Sequence, residues 1–258
     1  MSIIEAIFLG LLQGLTEFFP VSSSGHLVLF QDILGIESSM TFDIMLHVGT
    51  LISIFAVFWR EILGLFKPPF NRLIMLAVAS VPAAVLGFFV NDWVEGFFGE
   101  GTYLPFFFLA TAAVLLAADV VGRIRKKPGT PVGIVRAVII GVAQAAAIFP
   151  GLSRSGMTIS AGIVSGAERD KAARFSFLLS VPIIAGSALF SVLKGGLSDG
   201  NVGMSAMAVG ILMAAASGFL ALKLMLKAVS KNNYRWFALY MLALSAVTFV
   251  NYYIVSVF

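Results

Sequence analysis

Long, uninterrupted apolar runs dominate the hydropathy pattern of this chain. Six of them, about Thr41–Trp59, Leu73–Val90, Tyr103–Val121, Phe175–Leu193, Met204–Leu226 and Trp236–Phe258, come close to the length of about 20 residues that a helix needs to cross a bilayer. Two further pairs of apolar segments are too short to span. Ser2–Leu15 and Leu27–Ile36 flank the polar stretch Glu17–His26, while Val132–Phe149 and Met157–Val164 flank the polar turn Gly151–Gly156. Short apolar segments paired around a Gly/Pro/Ser break predict re-entrant helical hairpins, because irregular backbone at membrane depth survives only where protein covers it.

The pattern repeats. Gln13, Ser22, Ser24 and Gly25 recur as Gln144, Ser153, Ser155 and Gly156, each 131 residues later, and Phe19-Pro20 recurs as Phe149-Pro150, one residue out of register. The spanning segments follow nearly the same offset. The chain therefore reads as an all-α membrane protein, a single domain over 1–258 made of two halves (repeat 1 about 1–127, repeat 2 about 132–258). Each half is a re-entrant helical hairpin plus three transmembrane helices. Three is odd, so the second half is expected to enter the membrane from the opposite side, making the repeat inverted.

Charge placement gives an independent expectation. The segments Arg60–Arg72, Arg123–Arg136, Arg169–Arg174 and Lys223–Arg235 hold 15 of the 17 basic residues, whereas the opposite loops carry Asp92, Glu95, Glu100 and Asp199 against Lys194. By the positive-inside rule the basic loops are cytoplasmic, the first hairpin enters from outside, and both termini are extracytoplasmic.

Composition agrees with the class. Hydrophobic residues are 59% of the 258 and charged residues 12%, against about a quarter charged in a soluble domain. Cysteine is absent, which excludes disulfides and thiolate metal sites. The segment Met1–Leu15 lacks a positive n-region and a small-residue cleavage site, so it does not read as a cleaved signal. The net charge of +4 is accounted for by topology, and no nucleic-acid partner is expected.

After that sorting one basic residue remains inside the membrane region, Arg154 at the second tip, facing Glu17 and His26 of the first. Ionisable groups at such depth cost several kcal/mol unless paired or solvated, so they mark a functional site by default. Gln13 and Glu17 lie four apart on one helical face. Pro20 ends that half-helix and Ser22–Ser24 supply N-caps for the next. The second tip, Pro150-Gly151-Leu152-Ser153-Arg154-Ser155-Gly156-Met157-Thr158, repeats the design around an arginine. Two half-helix N-termini, hydroxyls and a guanidinium converging on one spot make an oxyanion receptor suited to phosphate. Ser22, Ser24, Ser153, Arg154, Ser155, Gly156 and Thr158 are its expected lining. Single serines and glycines in membrane segments are usually packing residues, but a repeated cluster is not explained that way. His47, early in a spanning segment with only Asp43 nearby in sequence, reads as structural, and Asp119 as a partner of the adjacent basic loop.

At these residues the sequence resembles the undecaprenyl-diphosphate phosphatase family associated with bacitracin resistance. The likeness runs through Gln13–Glu17 with Pro20-Val21-Ser22-Ser23-Ser24-Gly25-His26, through the second tip, and through the order of segments along the whole chain. It implies a multi-pass enzyme of the bacterial inner membrane that converts undecaprenyl diphosphate to the monophosphate carrier used in peptidoglycan synthesis. It also implies a divalent cation, Mg2+ or Ca2+. Gln13 stands where the family has Glu or Gln, leaving Glu17 as the carboxylate of this tip, to ligate a metal (with Gln13 as a further candidate) alongside substrate phosphates and water. On this reading Arg154 neutralises the diphosphate, Glu17 is metal ligand or general base, and His26 carries protons. Ser23 is a nucleophile or a hydrogen-bond donor, and an acid-base His26 with a metal-activated water is the simpler scheme. The partners are the polyprenyl diphosphate lipid and the bilayer, and a homodimer is compatible with them. The rival reading is a transporter or flippase for a lipid phosphate or other anion, with Glu17 and His26 as a proton relay at the same midplane site.

Overall fold

The structure of the chain, a computed structural model, describes residues 1–98, 101–125, 129–193, 202–230 and 234–255. Glu100, Lys126, Lys127, Lys194, Asp199 and Lys231, which enter the charge argument, lie outside them. Among the described residues the regular structure is helical. In order come α1 (Ile3–Phe18), α2 (Ser23–Leu34), α3 (Met40–Leu65), α4 (Asn71–Phe98), α5 (Leu104–Ile124), α6 (Ile134–Ala146), α7 (Arg154–Val164), α8 (Arg169–Leu193), α9 (Met204–Ser230) and α10 (Tyr234–Val250). Six helices, α3–α5 and α8–α10, are long and apolar enough to cross a membrane. They match the six runs read from the sequence, the last as far as Val255 since 256–258 lie outside the described residues, and the chain is an all-α, multi-pass membrane protein. The four shorter helices form two pairs, α1–α2 and α6–α7, each broken where the proline and serines predicted a break.

Local chemistry explains the boundaries. Ser2 caps α1 in a reciprocal box, its Oγ accepting from the Glu5 N–H at 3.3 Å while Glu5 Oε2 accepts from the Ser2 N–H at 2.8 Å. Phe19 turns extended ahead of Pro20 and stops the helix. Gly35, at φ 61, closes α2 with backbone bonds back to Asp32 and Gln31. The carbonyls at the end of α7 receive guanidinium donors instead, Arg125 on Val164 at 3.0 Å and Arg136 on Ser165 at 3.1 Å. Cations there also offset the negative end of the helix dipole.

Packing between the halves is reciprocal. α1 lies along α9, and α6, its counterpart in the second half, lies along α4. α5 packs on α10 and α3 on α8. One core joins both halves, with Phe18, Ile54, Phe58 and Phe108 from the first meeting Phe177, Leu179, Met225 and Tyr234 from the second. Outward faces are apolar: Phe88, Phe89, Leu193 and Met204 are all largely exposed. In a bilayer lipid covers such surface.

The α1–α9 contact is close because glycine permits it. A Cβ on Gly14 would meet Ser217 Oγ and lie 2.5 Å from the Ala214 carbonyl and 2.6 Å from the Gly218 nitrogen. Gly64, also helical, has nothing within 4 Å of the same position. Alanine in a helix interior is favoured over glycine by about 1 kcal/mol where there is room, and overpacking costs about 1–3 kcal/mol where there is none. Gly64→Ala should therefore raise the thermal unfolding midpoint in detergent and Gly14→Ala lower it. Shifts of the same sign would disprove the close-approach account.

Candidate active site

The two broken pairs meet tip to tip. Ser22 is the N-cap of α2 and one residue with positive φ, at 65°, that is not glycine. Its Oγ accepts from the Gly25 N–H at 3.3 Å and, across the interface, from the Gly151 N–H at 3.1 Å. Ser155 Oγ returns the contact by donating to the Phe19 carbonyl at 3.0 Å. Thr111 of α5 braces the second tip, donating to the Gly151 carbonyl at 3.0 Å and accepting from the Ser153 N–H at 3.1 Å. Gly151 sits at φ 96, a conformation glycine adopts without steric cost. A non-glycine residue held at positive φ is uncommon, and here the surrounding bonds over-determine it.

Glu17 lies at the centre, buried with 3% of its side chain exposed. One carboxylate oxygen, Oε1, takes the Arg154 guanidinium through Nη2. The other, Oε2, accepts from Ser23 Oγ at 2.5 Å and Gln13 Nε2 at 3.0 Å, and faces His47 Nε2 at 3.5 Å. An ion pair thus joins the tips, with Gln13 and Ser23 on the same carboxylate. Two polar atoms here stay unpartnered though buried, Arg154 Nη1 and Gln13 Oε1. A buried donor without a partner costs about 1–3 kcal/mol, more when charged, so Nη1 is a standing attraction for an oxyanion.

The other expected residues are placed less centrally. Ser153 Oγ accepts from the Gly156 N–H at 3.0 Å as N-cap of α7 and lies 3.3 Å from Ser155 Oγ. Thr158 turns toward α8, its Oγ1 donating to the Arg154 carbonyl at 2.7 Å and lying 2.5 Å from Ser176 Oγ. Ser24 occupies the first turn of α2, half-buried. Ser22, Ser153, Ser155, Thr158 and the Gly156 N–H thus build and interlock the tips, which leaves Arg154 and Ser23 as the side chains most directly poised for an anion. His26, 2% exposed, bonds to the Ser22 carbonyl at 2.8 Å and Tyr240 Oη at 2.7 Å, and no contact with Glu17 or Arg154 is among its bonds.

His47 was read as structural but reaches the site. It is one of two histidines in the chain, and as an ionisable group within a spanning segment it carried the signal that singled out Glu17 and Arg154. Asp119 pairs with Arg123 at 2.6 Å, as its place near the basic loop suggested.

The arrangement is a hydroxyl on a helix N-terminus hydrogen-bonded to a carboxylate, with that carboxylate oriented by an amide and a guanidinium. It meets the geometric criterion for a nucleophile with its base. For a divalent cation, the protein offers Gln13 Oε1 as an uncommitted oxygen beside Glu17. Both Glu17 oxygens are already bonded, and among the described residues no group of three or more His, Cys, Asp or Glu gathers around a metal position.

Comparison with known proteins gives the lineage. The chain is 39% identical over 259 residues to an undecaprenyl-diphosphatase of Carboxydothermus hydrogenoformans, covering 97% of each. It is 41% identical over 256 residues to one of Moorella thermoacetica, with 96% of this chain and 97% of the relative covered. A third, from Methanosphaera stadtmanae, is 34% identical over 275 residues, with 97% and 98% covered. Residues 6–247 match the family described as Bacitracin resistance protein BacA, and the chain belongs to it.

Proposed function

We propose that the chain hydrolyses undecaprenyl diphosphate to undecaprenyl phosphate and inorganic phosphate at the pocket formed by the two tips. This would return the lipid carrier to cell-wall synthesis and confer bacitracin resistance. The observation that carries the reading is the buried, unpartnered Nη1 of Arg154, next to a serine hydroxyl already bonded to a carboxylate. The relatives' activity supports it.

Arg154 and the N-terminus of α7 bind the terminal phosphoryl group and meet the charge that develops on it. Ser23 Oγ attacks that phosphorus, its proton passing to Glu17, while the bond to the bridging oxygen breaks and the lipid leaves as its monophosphate. Glu17 returns that proton to Ser23 Oγ as a water attacks the phosphoserine, takes the water's proton in its place, and passes it on with the departing inorganic phosphate. Gln13 keeps the carboxylate turned toward Ser23, and His47 adds a further ring nitrogen beside it. A divalent cation held by Gln13 Oε1 and Glu17 would neutralise the diphosphate oxygens when bound. Membership of a family acting on a cell-wall lipid supports the bacterial inner membrane as the location. Reciprocal packing of α1 on α9 and of α6 on α4 supports a two-half repeat; three spans per half and the basic loops support its inversion, with both termini extracytoplasmic and the pocket opening to that side.

Purified protein in detergent should release phosphate from a polyprenyl diphosphate. Arg154→Ala should lower kcat/KM about 10²–10³-fold, the usual effect of removing one oxyanion donor. Ser23→Ala should abolish the labelled phospho-protein formed from substrate carrying label in its terminal phosphate. If wild type releases no phosphate yet carries lipid phosphate across liposomes, the reading is wrong and transport replaces it. Chelation should reduce turnover and added Mg2+ or Ca2+ restore it; activity indifferent to chelators would remove the cation from the scheme. Because the chain has no cysteine, single cysteines are clean topology probes. A cysteine at Glu95 should label from outside the cell and one at Lys127 should not, and the opposite pattern would reverse the orientation.

A further inference from the structure

The ring of His26 is tied at both nitrogens. Nδ1 lies 2.8 Å from the Ser22 carbonyl oxygen, which can only accept, so Nδ1 carries the hydrogen. In the neutral ring Nε2 is then a bare lone pair, and Tyr240 Oη, 2.7 Å away, donates into it. Tyr240 belongs to α10, 214 residues further along the chain. Its ring also lies nearly parallel to the imidazole, with centroids 5.8 Å apart and 11° between planes, while Phe108 of α5 closes another side at 6.0 Å. The residue at the other end of this bond chain is Ser22, which holds a left-handed conformation, takes the Gly151 N–H of the second tip and immediately precedes Ser23. Hydrogen bonds thus run from the Tyr240 hydroxyl through His26 to the Ser22 carbonyl, and so to the corner that sets where Ser23 Oγ points.

The geometry points to Tyr240 as a positioning residue for the cleavage. The Ser22 carbonyl sets the Nδ1–H tautomer of His26, the Tyr240 hydroxyl anchors the ring at Nε2, and together they keep the corner in shape and Ser23 seated on Glu17. This rests on the reading that the tips cleave a diphosphate. It also assigns His26 a bracing part, since the Nε2 edge is covered by the Tyr240 hydroxyl. The device places the last spanning helix in control of the first tip, a link that no spacing in the sequence announces.

Tyr240→Phe removes the hydroxyl and keeps the stacked ring. The ring nitrogens can be followed by NMR in detergent with 15N-labelled histidine, because the chain has two histidines and a His47→Gln variant identifies the His26 signals. Wild type should show the Nδ1–H tautomer, and Tyr240→Phe should shift the Nε2 signal while Nδ1 keeps its hydrogen. In the same variant kcat should fall roughly tenfold, the scale of one hydrogen bond, with KM unchanged. Adding Tyr240→Phe to His26→Ala should slow that variant no further, since contacts acting through one another are not additive. The proposal is overturned if the His26 signals are the same with and without the hydroxyl. It is equally overturned if kcat is unchanged, or if Tyr240→Phe slows His26→Ala by the factor it imposes on wild type. Failure of the phosphatase reading looks different: wild type releases no phosphate while the ring signals still respond to Tyr240→Phe.

Discussion

A carboxylate buried between membrane helices needs a positive partner, and a guanidinium there needs a negative one. Glu17 and Arg154 meet this need for each other, and they come from opposite tips 137 residues apart in sequence. Taking one partner away from such a pair leaves an uncompensated buried charge, which costs about 3–5 kcal/mol. The pair therefore fixes how the broken helices α1–α2 and α6–α7 face each other. The neutral contacts around it, Ser22 to Gly151, Ser155 to Phe19 and Thr111 to Ser153, hold the tips in register. With Arg154 turned by Glu17 through Nη2, Nη1 is left buried without a hydrogen-bond partner. The same bond that ties the halves together also sets how the Arg154 guanidinium is turned.

The scaffold is duplicated but the chemistry is not. At the 131-residue offset Glu17 corresponds to Ile148, Ser23 to Arg154 and His26 to Met157. One half supplies the carboxylate, hydroxyl and imidazole, and the other supplies the cation. Gln13 and Gln144 are equivalent by sequence, yet Gln13 bonds to Glu17 while both polar atoms of Gln144 find no hydrogen-bond partner among the described residues. A group retained in both halves has its carboxylate partner in only one.

Around the site, the surface that would be a liability in water is what suits this molecule to lipid. Buried hydroxyls at membrane depth are satisfied locally, as when Thr16 donates to the Leu12 carbonyl and Ser217 to that of Met213. Small residues let α1 and α9 approach closely, which suits helices that gain little from excluding lipid from one another.

The sequence by itself determined the helical class, the six spans, the two breaks and the charged residues at their tips. Those features rest on run length, on proline and serine at half-helix ends, and on the cost of ionisable groups in a membrane, all of which are local or compositional. The tertiary structure alone decided the rest. It turned most of the tip hydroxyls to interlocking, brought His47 beside Glu17, and set Tyr240 on His26. Each depends on which face of a helix meets which neighbour. A uniformly apolar span carries no stripe to declare that face, so the choice is made by close packing between helices distant in the chain.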